Sequence, residues 1–233
     1  MRLLNNLDRK IYRIIVGKPV VPPPYEVKRA TIEAYAKKFS TDIFIETGTY
    51  MGETIDALKN TFKKLISIEL GKELFEKATN KFKMYSHITI LNGDSAHVLH
   101  SVLAPINETI LFWLDGHYSG GITAKGDLNT PIVKELQLIL NHKIKNHVIL
   151  IDDARCFIGE NDYPTIGELF SFILKITDDF SFAVENDIIR ITPRVGNAHV
   201  RSKDYSEPLR QMFGHEYRHL RLFVKRVIGY GKN

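Results

Sequence analysis

The sequence predicts a single α/β domain with a mostly parallel, seven-stranded sheet, helices on both faces and an antiparallel hairpin at its end. Between residues 42 and 177, short apolar segments typical of strands alternate with amphipathic segments typical of helices. After residue 180, the pattern changes to two strands joined by the short turn Asn186-Asp187. Alternation at this spacing indicates right-handed strand–helix–strand units, and therefore a parallel sheet that the hairpin completes.

The elements are predicted in order from these patterns. Apolar runs such as Leu65-Ile-Ser-Ile-Glu69 predict strands near residues 42–46, 65–69, 87–91, 109–115 and 147–152, with hairpin strands over 180–185 and 188–192. Segments with helical spacing predict helices near residues 26–38, 53–63, 71–83, 95–103, 131–141 and 164–177. The predicted domain takes up residues 41–193.

Two extensions flank this domain. Residues 1–40 contain an amphipathic helix over 3–15 and a stiff proline-rich linker over 19–24, ahead of the helix at 26–38. Residues 194–233 form a basic helical tail with nine Lys and Arg against three Asp and Glu, in a chain of net charge +5. Both terminal helices are predicted to pack on the domain or across a homodimer. The alternative is docking to an anionic membrane surface or a lipid-linked glycan.

Composition excludes several classes of protein. The single cysteine, Cys156, excludes an intramolecular disulfide, and no stretch approaches the roughly 20 apolar residues of a membrane span. The N-terminus loses its apolar character too soon for a signal peptide. We therefore expect a cytoplasmic protein. Peripheral contact at the inner membrane face belongs to the alternative in which the basic tail docks to a membrane. No compact RNA-binding module is present, so a nucleic-acid partner is not favoured.

Three successive predicted strands end in residues suited to a nucleotide-like cofactor. The first is followed by Glu46-Thr-Gly48-Thr-Tyr-Met-Gly52, whose glycines let a ligand approach the backbone. The second ends at Glu69, a carboxylate that can accept both hydroxyls of a ribose. The third precedes Asp94, which could accept from an adenine amino group. The alternatives are a helix N-cap for Asp94 and a solvated strand end for Glu69. Tyrosine at position 50 breaks the glycine pattern of NAD-binding turns.

Residues 42–192 resemble the class I S-adenosylmethionine (SAM)-dependent methyltransferases. The turn from Glu46 to Gly52 is similar to their first motif, Glu69 to their ribose-binding acid and Asp94 to their adenine-side acid. The resemblance implies SAM as the cofactor, with the Gly48 region against its methionine part. The remaining residues assigned to the cofactor are Thr49, Tyr50, Thr54, Ser95 and Asp115.

Three aspartates mark the part of the site where the chemical step is expected. Asp115 follows the strand near 109–115, and Asp152 and Asp153 follow the next strand. A hard divalent cation with such oxygen ligands can bind an acceptor hydroxyl and lower its pKa. This placement of three aspartates resembles that in the metal-dependent O-methyltransferases of the macrocin and catechol types. That resemblance implies Mg²⁺, or another divalent cation, on all three aspartates. The alternative is that Asp152 is structural and that Asp153 caps the following turn.

The polar, glycine-rich loop over 115–126 is typical of an active-site lid. His117 and Tyr118 are predicted to contact the acceptor, and Lys125 an anionic group on it. Arg155 is predicted to bind a substrate phosphate or carboxylate. The catalytic base is predicted to be Asp115 or His117, although His117 could instead be a hydrogen-bonded loop residue. The strand end lacks the Pro-Pro-aromatic run of many methyltransferases that act on amino nitrogens, which favours oxygen as the acceptor atom.

The sequence thus predicts a SAM-dependent, metal-assisted O-methyltransferase. The expected acceptor is a hydroxyl of a sugar or glycan-type molecule, small or carried on a lipid or a nucleotide. One alternative is a metal-independent methyltransferase that uses His117 as the base. The other is a methyltransferase-like scaffold without activity, docking through its terminal helices.

Overall fold

The computed structural model describes residues 21–116 and 130–194. The predicted helix over 3–15, the predicted basic tail beyond residue 194 and most of the predicted lid lie outside the described residues. His117, Tyr118 and Lys125 lie there too. The roles predicted for these segments and side chains therefore stay predictions.

The described part of the chain forms helices and strands in alternation. The helices are α1 (Tyr25–Phe39), α2 (Glu53–Leu58), α3 (Lys72–Phe82), α4 (Ser95–Leu103), α5 (Ile132–Leu140) and α6 (Ile166–Leu174). The strands are β1 (Ile43–Thr47), β2 (Lys64–Glu69), β3 (Ile88–Asn92), β4 (Ile110–Leu114), β5 (Val148–Ile151), β6 (Phe180–Glu185) and β7 (Ile188–Pro193). The predicted order is confirmed, although α2 and α6 are shorter than predicted. None of these helices combines the length and apolar character of a bilayer span.

The seven strands form one sheet in the order β3-β2-β1-β4-β5-β7-β6. The first five strands are parallel, and β7 runs antiparallel to both β5 and β6. The predicted fold class is therefore confirmed. The strand order reverses between β1 and β4, and ligands of open parallel sheets bind beyond the strand ends at such a reversal.

Helices cover both faces of the sheet. One face packs against α4, α5 and α6, with Leu99, Leu136 and Leu169 in its core. The other packs against α1, α2 and α3 around Phe44 and Trp113. Because the parallel strands are covered on both faces, most of their side chains are apolar on both faces. Every residue of β1 and β4 is buried.

Helix α1 closes the second face with residues four positions apart. Ile32 and Ala36 are buried in the core, and Lys28 lies one turn before them on the same stripe. The helix ends at Ser40, which has a left-handed backbone conformation with φ 51°. This stripe directs Lys28 toward the carboxyl ends of β4 and β5.

Two buried histidines form a directed hydrogen-bond chain at the amino ends of β4 and β5. The amide of Ile110 donates to Nδ1 of His147 at 3.1 Å, so the ring proton of His147 is on Nε2. That nitrogen donates to Nδ1 of His142 at 2.8 Å, and Nε2 of His142 donates to the carbonyl oxygen of Leu103 at 3.1 Å. The chain requires both rings to be neutral.

We expect His147 to weaken the fold in acid. Burial, and then the neighbouring His142 and Lys145, lower the pKa of His147 from 6.5 to about 4. Between these pH values the unfolded chain binds more protons, so the free energy of unfolding falls as the pH falls, by about 3 kcal/mol in total. Urea denaturation at pH 7 and pH 5, with an NMR titration of the histidine rings, measures the effect. A His147 midpoint near 6.5 would contradict it.

Candidate active site

The carboxyl ends of the central strands lie side by side at one edge of the sheet. The amide of Gly48 donates to the carbonyl oxygen of Ile68 at 2.9 Å, and the amide of Asp115 donates to that of Thr47 at 3.0 Å. The amide of Asp152 continues the pairing with the end of β4 at 3.1 Å. The turn after β1 and the aspartates after β4 and β5 therefore lie side by side at this edge.

The turn after β1 approaches the end of β4 so closely that only glycine fits. Gly48 has φ +87°, and a Cβ atom on it would lie 2.4 Å from the carbonyl oxygen of Asp115. Gly52, which precedes α2, has φ +68°. Glycine adopts these angles without steric cost. The Gly48 contact couples the predicted cofactor turn to the predicted catalytic aspartate through the backbone.

Glu69 at the end of β2 faces this turn. Its carboxylate accepts the amide of Tyr50 at 2.8 Å and the amide of Gly71 at 2.7 Å. It is therefore not the solvated strand end that the alternative proposed. The two bonds hold the carboxylate beside the turn, where the resemblance places the ribose.

Asp94 and Ser95 begin α4 at the same edge. Asp94 caps the helix by accepting the amide of Ala96 at 2.8 Å, so the N-cap alternative is confirmed. Its predicted contact with adenine stays a prediction. The hydroxyl of Ser95 donates to buried Glu135 of α5 at 2.5 Å. Burial raises the pKa of Glu135 to about 7, and the Ser95 hydrogen bond opposes the shift.

Glu46 lies beneath the cofactor turn as a buried carboxyl group. It is 1% exposed and accepts the hydroxyl of Ser67 at 2.7 Å. The hydroxyls of Ser67 and Thr49 lie 2.6 Å apart, which extends the network into the turn. Burial raises the pKa of Glu46 to about 8, against hydrogen bonds from Ser67 and Thr54. Glu46 therefore carries a proton at neutral pH and supports the turn from below.

The aspartates after β4 and β5 form an acidic cluster with Lys28. The Lys28 ammonium donates to Oδ2 of Asp152 and lies 3.8 Å from Oδ1 of Asp153. Burial, followed by the charge of Asp115, raises the pKa of Asp152 above its usual range, against the charge of Lys28. Burial alone would lower the pKa of Lys28, but the aspartates outweigh it and raise that pKa. Lys28 therefore keeps its charge.

A second cation contacts the cluster from the outer side. Asp153 has a left-handed backbone conformation with φ 56°, and its Oδ1 accepts from the guanidinium of Arg155 at 2.7 Å. The guanidinium also pairs with Asp187 in the hairpin turn. Arg155 is thus bonded to two carboxylates, and its predicted contact with an anionic substrate stays a prediction.

The predicted metal ligands do not fit a metal ion in this arrangement. Oδ1 of Asp152 accepts the amide of Asp153 at 2.8 Å, and its Oδ2 accepts from Lys28. A divalent ion needs several oxygen ligands at about 2.0–2.6 Å. Within residues 21–116 and 130–194, no group of three or more His, Cys, Asp or Glu side chains could hold one.

A cleft of about 190 Å³ lies between α1 and the strand ends. The Tyr25 hydroxyl closes one side of it by donating to the carbonyl oxygen of Glu53 at 2.7 Å. The cleft joins the cofactor turn to the acidic cluster and to α1. Its lining includes Tyr25, Lys28, Arg29, Gly48, Thr49, Tyr50, Thr54, Trp113, Asp115 and Asp152.

Solved structures share this arrangement of strands. The Podospora anserina methyltransferase PaMTH1, bound to S-adenosylhomocysteine (SAH), is 12% identical with a TM-score of 0.54, over 84% of this chain and 99% of that one. An SAH-bound O-methyltransferase from Bacillus cereus is 10% identical with a TM-score of 0.54, over 82% and 92%. The SAM-bound O-methyltransferase TomG of Streptomyces achromogenes is 15% identical with a TM-score of 0.52, over 84% and 92%. The chain has the class I methyltransferase fold.

Sequence comparison also finds a methyltransferase. The chain is 24% identical over 176 residues to the ribosomal RNA small subunit methyltransferase A of Caldanaerobacter subterraneus subsp. tengcongensis. The match covers 72% of this chain and 61% of that protein, so the chain spans about three fifths of the relative's length. No protein-family model matches the sequence.

Lys28 and Glu135 are two charged residues near the strand ends that the sequence reasoning missed. Lys28 and Glu135 both lie on otherwise apolar helix stripes, four residues before Ile32 and three after Ile132. A charged side chain at such a position is directed toward the core. That spacing was the available signal, and it identifies the helix face without identifying the partner.

Proposed function

We propose that the chain is a SAM-dependent methyltransferase that acts on a hydroxyl oxygen. One observation supports this most strongly: Gly48, Glu69, Asp94 and Asp115 follow four strands of one sheet and meet at one edge, in the order that class I methyltransferases use. The likeness of the whole fold to SAH-bound and SAM-bound enzymes adds to it.

The residues at this edge suit SAM. Bound SAM would supply an electrophilic methyl group on a positively charged sulfur. Glu69, held by two backbone amides, offers a carboxylate to the ribose hydroxyls. The backbone of the turn at Gly48 lets the methionine part approach without contacting a side chain. Asp115, which lines the same cleft, would stabilise the positive sulfur centre with its negative charge.

The acceptor would enter through the cleft beside α1. Tyr25 and Tyr50 give this cleft an aromatic lining, which suits the apolar face of a sugar ring. As the acceptor oxygen bonds to the methyl carbon, its proton would pass to Asp115. The proposed acceptor is therefore a hydroxyl of a sugar or glycan, free or carried on a lipid or a nucleotide.

Assistance by a divalent metal, which the sequence predicts, would require a different arrangement of the acidic cluster. Lys28 and Arg155 now contact the oxygens that the ion would need. We therefore assign no step to a metal. A cytoplasmic location, contact of the tail with a membrane, and a homodimer are further proposals that rest on the sequence alone.

Binding of SAH tests the proposed function. We expect wild type to bind SAH with a micromolar dissociation constant, about −8 kcal/mol, in isothermal titration calorimetry. Glu69→Gln should bind at least about tenfold more weakly, because the ribose hydroxyls lose a charged acceptor, which costs about 1.5–3 kcal/mol. Glu73→Gln in α3, an exposed carboxylate outside the site, serves as the matched control.

Two results of this titration would change the proposal, and a subsequent screen tests the acceptor. Equal affinities of wild type and both variants would place the cofactor elsewhere. No binding to folded wild type would favour the scaffold alternative. If SAH binds, a screen of hydroxylated sugars and small-subunit ribosomal RNA follows, because the curated relative is by name an RNA methyltransferase. Methylation of the RNA alone would overturn the sugar acceptor.

A further inference from the structure

The ammonium of Lys28 is built into the acidic cluster by the fold. The side chain is 20% exposed, whereas that of its partner Asp152 is 1% exposed. It belongs to the stripe that continues into the core at Ile32 and Ala36, so the packing of α1 fixes where the lysine points. A surface lysine that pairs by chance would lack this support.

The ammonium also lies in the cleft that contains the cofactor turn. Lys28, Asp115 and Asp152 line this cleft together with Gly48 and Thr49. The cation is therefore on the same side of the strand ends as the proposed methyl donor. It occupies the part of the cluster where a metal ion bound to Asp152 and Asp153 would lie, and two cations would repel each other there.

We propose that the Lys28 ammonium, and not a divalent metal ion, is the cation that this acidic cluster holds and presents to the acceptor oxygen. The inference rests on the proposed function for its reaction. As the oxygen bonds to the methyl carbon, the carbon–sulfur bond breaks and its electron pair stays on sulfur. The hydroxyl proton passes to Asp115. The ammonium keeps its own protons and stabilises the negative charge that develops on the oxygen.

Titration with Mg²⁺ alone tests this assignment without an acceptor. Wild type should give no saturable heat with Mg²⁺ in calorimetry. Lys28→Met removes the charge but keeps the length of the side chain, so the carboxylates need another cation. We expect this variant to bind Mg²⁺ at least tenfold more tightly than wild type. Lys37→Met, at an exposed position of the same helix, should behave as wild type.

The outcomes separate the alternatives. Saturable Mg²⁺ binding by wild type that Asp152→Asn abolishes would overturn the proposal, because the cluster would then hold a metal. The absence of binding from both wild type and Lys28→Met would also overturn it, because the cluster would then need no cation. Thermal melts confirm that the variants fold, and Lys28→Gln replaces Lys28→Met if the latter does not.

SAH binding, measured on the same samples, keeps the two proposals apart. If wild type does not bind SAH, the proposed function is refuted, and the comparison of Mg²⁺ binding between wild type and Lys28→Met still stands. Once an acceptor is known, activity of wild type should survive complete chelation. In the same assay kcat should fall at least tenfold in Lys28→Met and recover in part in Lys28→Arg, with little change in the KM for SAM.

Discussion

Replacing Gly48 with alanine is expected to lower the free energy of unfolding by about 4 kcal/mol and to abolish SAH binding. A left-handed backbone costs a non-glycine residue about 1–2 kcal/mol. The larger part comes from the new methyl group, which would lie 2.4 Å from the carbonyl oxygen of Asp115. Neither backbone can move without breaking the pairing of β1 with β4, so the collision adds a few kcal/mol. Urea denaturation and calorimetry measure the two effects.

Gly159→Ala is a matched control for the backbone angle. Gly159 has the same φ of +87°, but a Cβ atom there would meet only the methyl group of Thr165 at 3.1 Å. We expect this variant to lose about 1–2 kcal/mol and to keep SAH binding. Equal losses in the two variants would show that the close approach at Gly48 contributes nothing.

Glu46→Gln is expected to stabilise the protein in alkali by up to about 5 kcal/mol relative to wild type. The pKa of Glu46 is about 8 in the folded protein and 4.5 as an ordinary glutamate. Between these pH values the folded state binds more protons, so the free energy of unfolding of wild type falls as the pH rises to 8. Glutamine cannot ionise, and its carbonyl oxygen still accepts from Ser67. The variant should therefore lack this loss.

Urea denaturation of both proteins at pH 5, 7 and 9 tests the prediction. The curves should be close at pH 5 and diverge above it. Titration of Glu135 and His147 is common to both proteins, so the difference between them isolates Glu46. Glu76→Gln, an exposed carboxylate of α3, should remain parallel to wild type throughout. A constant difference between Glu46→Gln and wild type would mean that Glu46 is ionised in the folded state.

The fold was predictable because its strands are continuous apolar runs. Ile110–Leu114 is buried at every position, and a short apolar run between amphipathic segments predicts such a strand. The prediction erred at the end of α2, which stops at Leu58. Phe62 has the spacing of a helix residue, but it lies in the connection after α2 and packs into the core from there. Periodicity reports burial, and a turn can place a side chain in the core as well as a helix can.

The edge of the site was also predictable, because parallel strands end together and their following residues must be neighbours. The partners of these residues were not. Lys28 and Asp152 are separated by 124 positions along the chain. Local patterns contain no information about contacts at that distance. A metal ion was therefore the expected counterion of the three aspartates. In the structure, a lysine from the helix before the sheet lies beside them instead.

The left-handed backbone at Asp153 limits which residue types can replace the aspartate. Asparagine, aspartate and glycine adopt that conformation readily, whereas branched or bulky residues do not. Asparagine at position 153 would remove one negative charge and keep the turn. A single substitution can therefore change the electrostatic balance around Lys28 while the shape of the strand end is retained. Chains that share this backbone could differ in whether a lysine or a metal ion balances the cluster, without any change in fold.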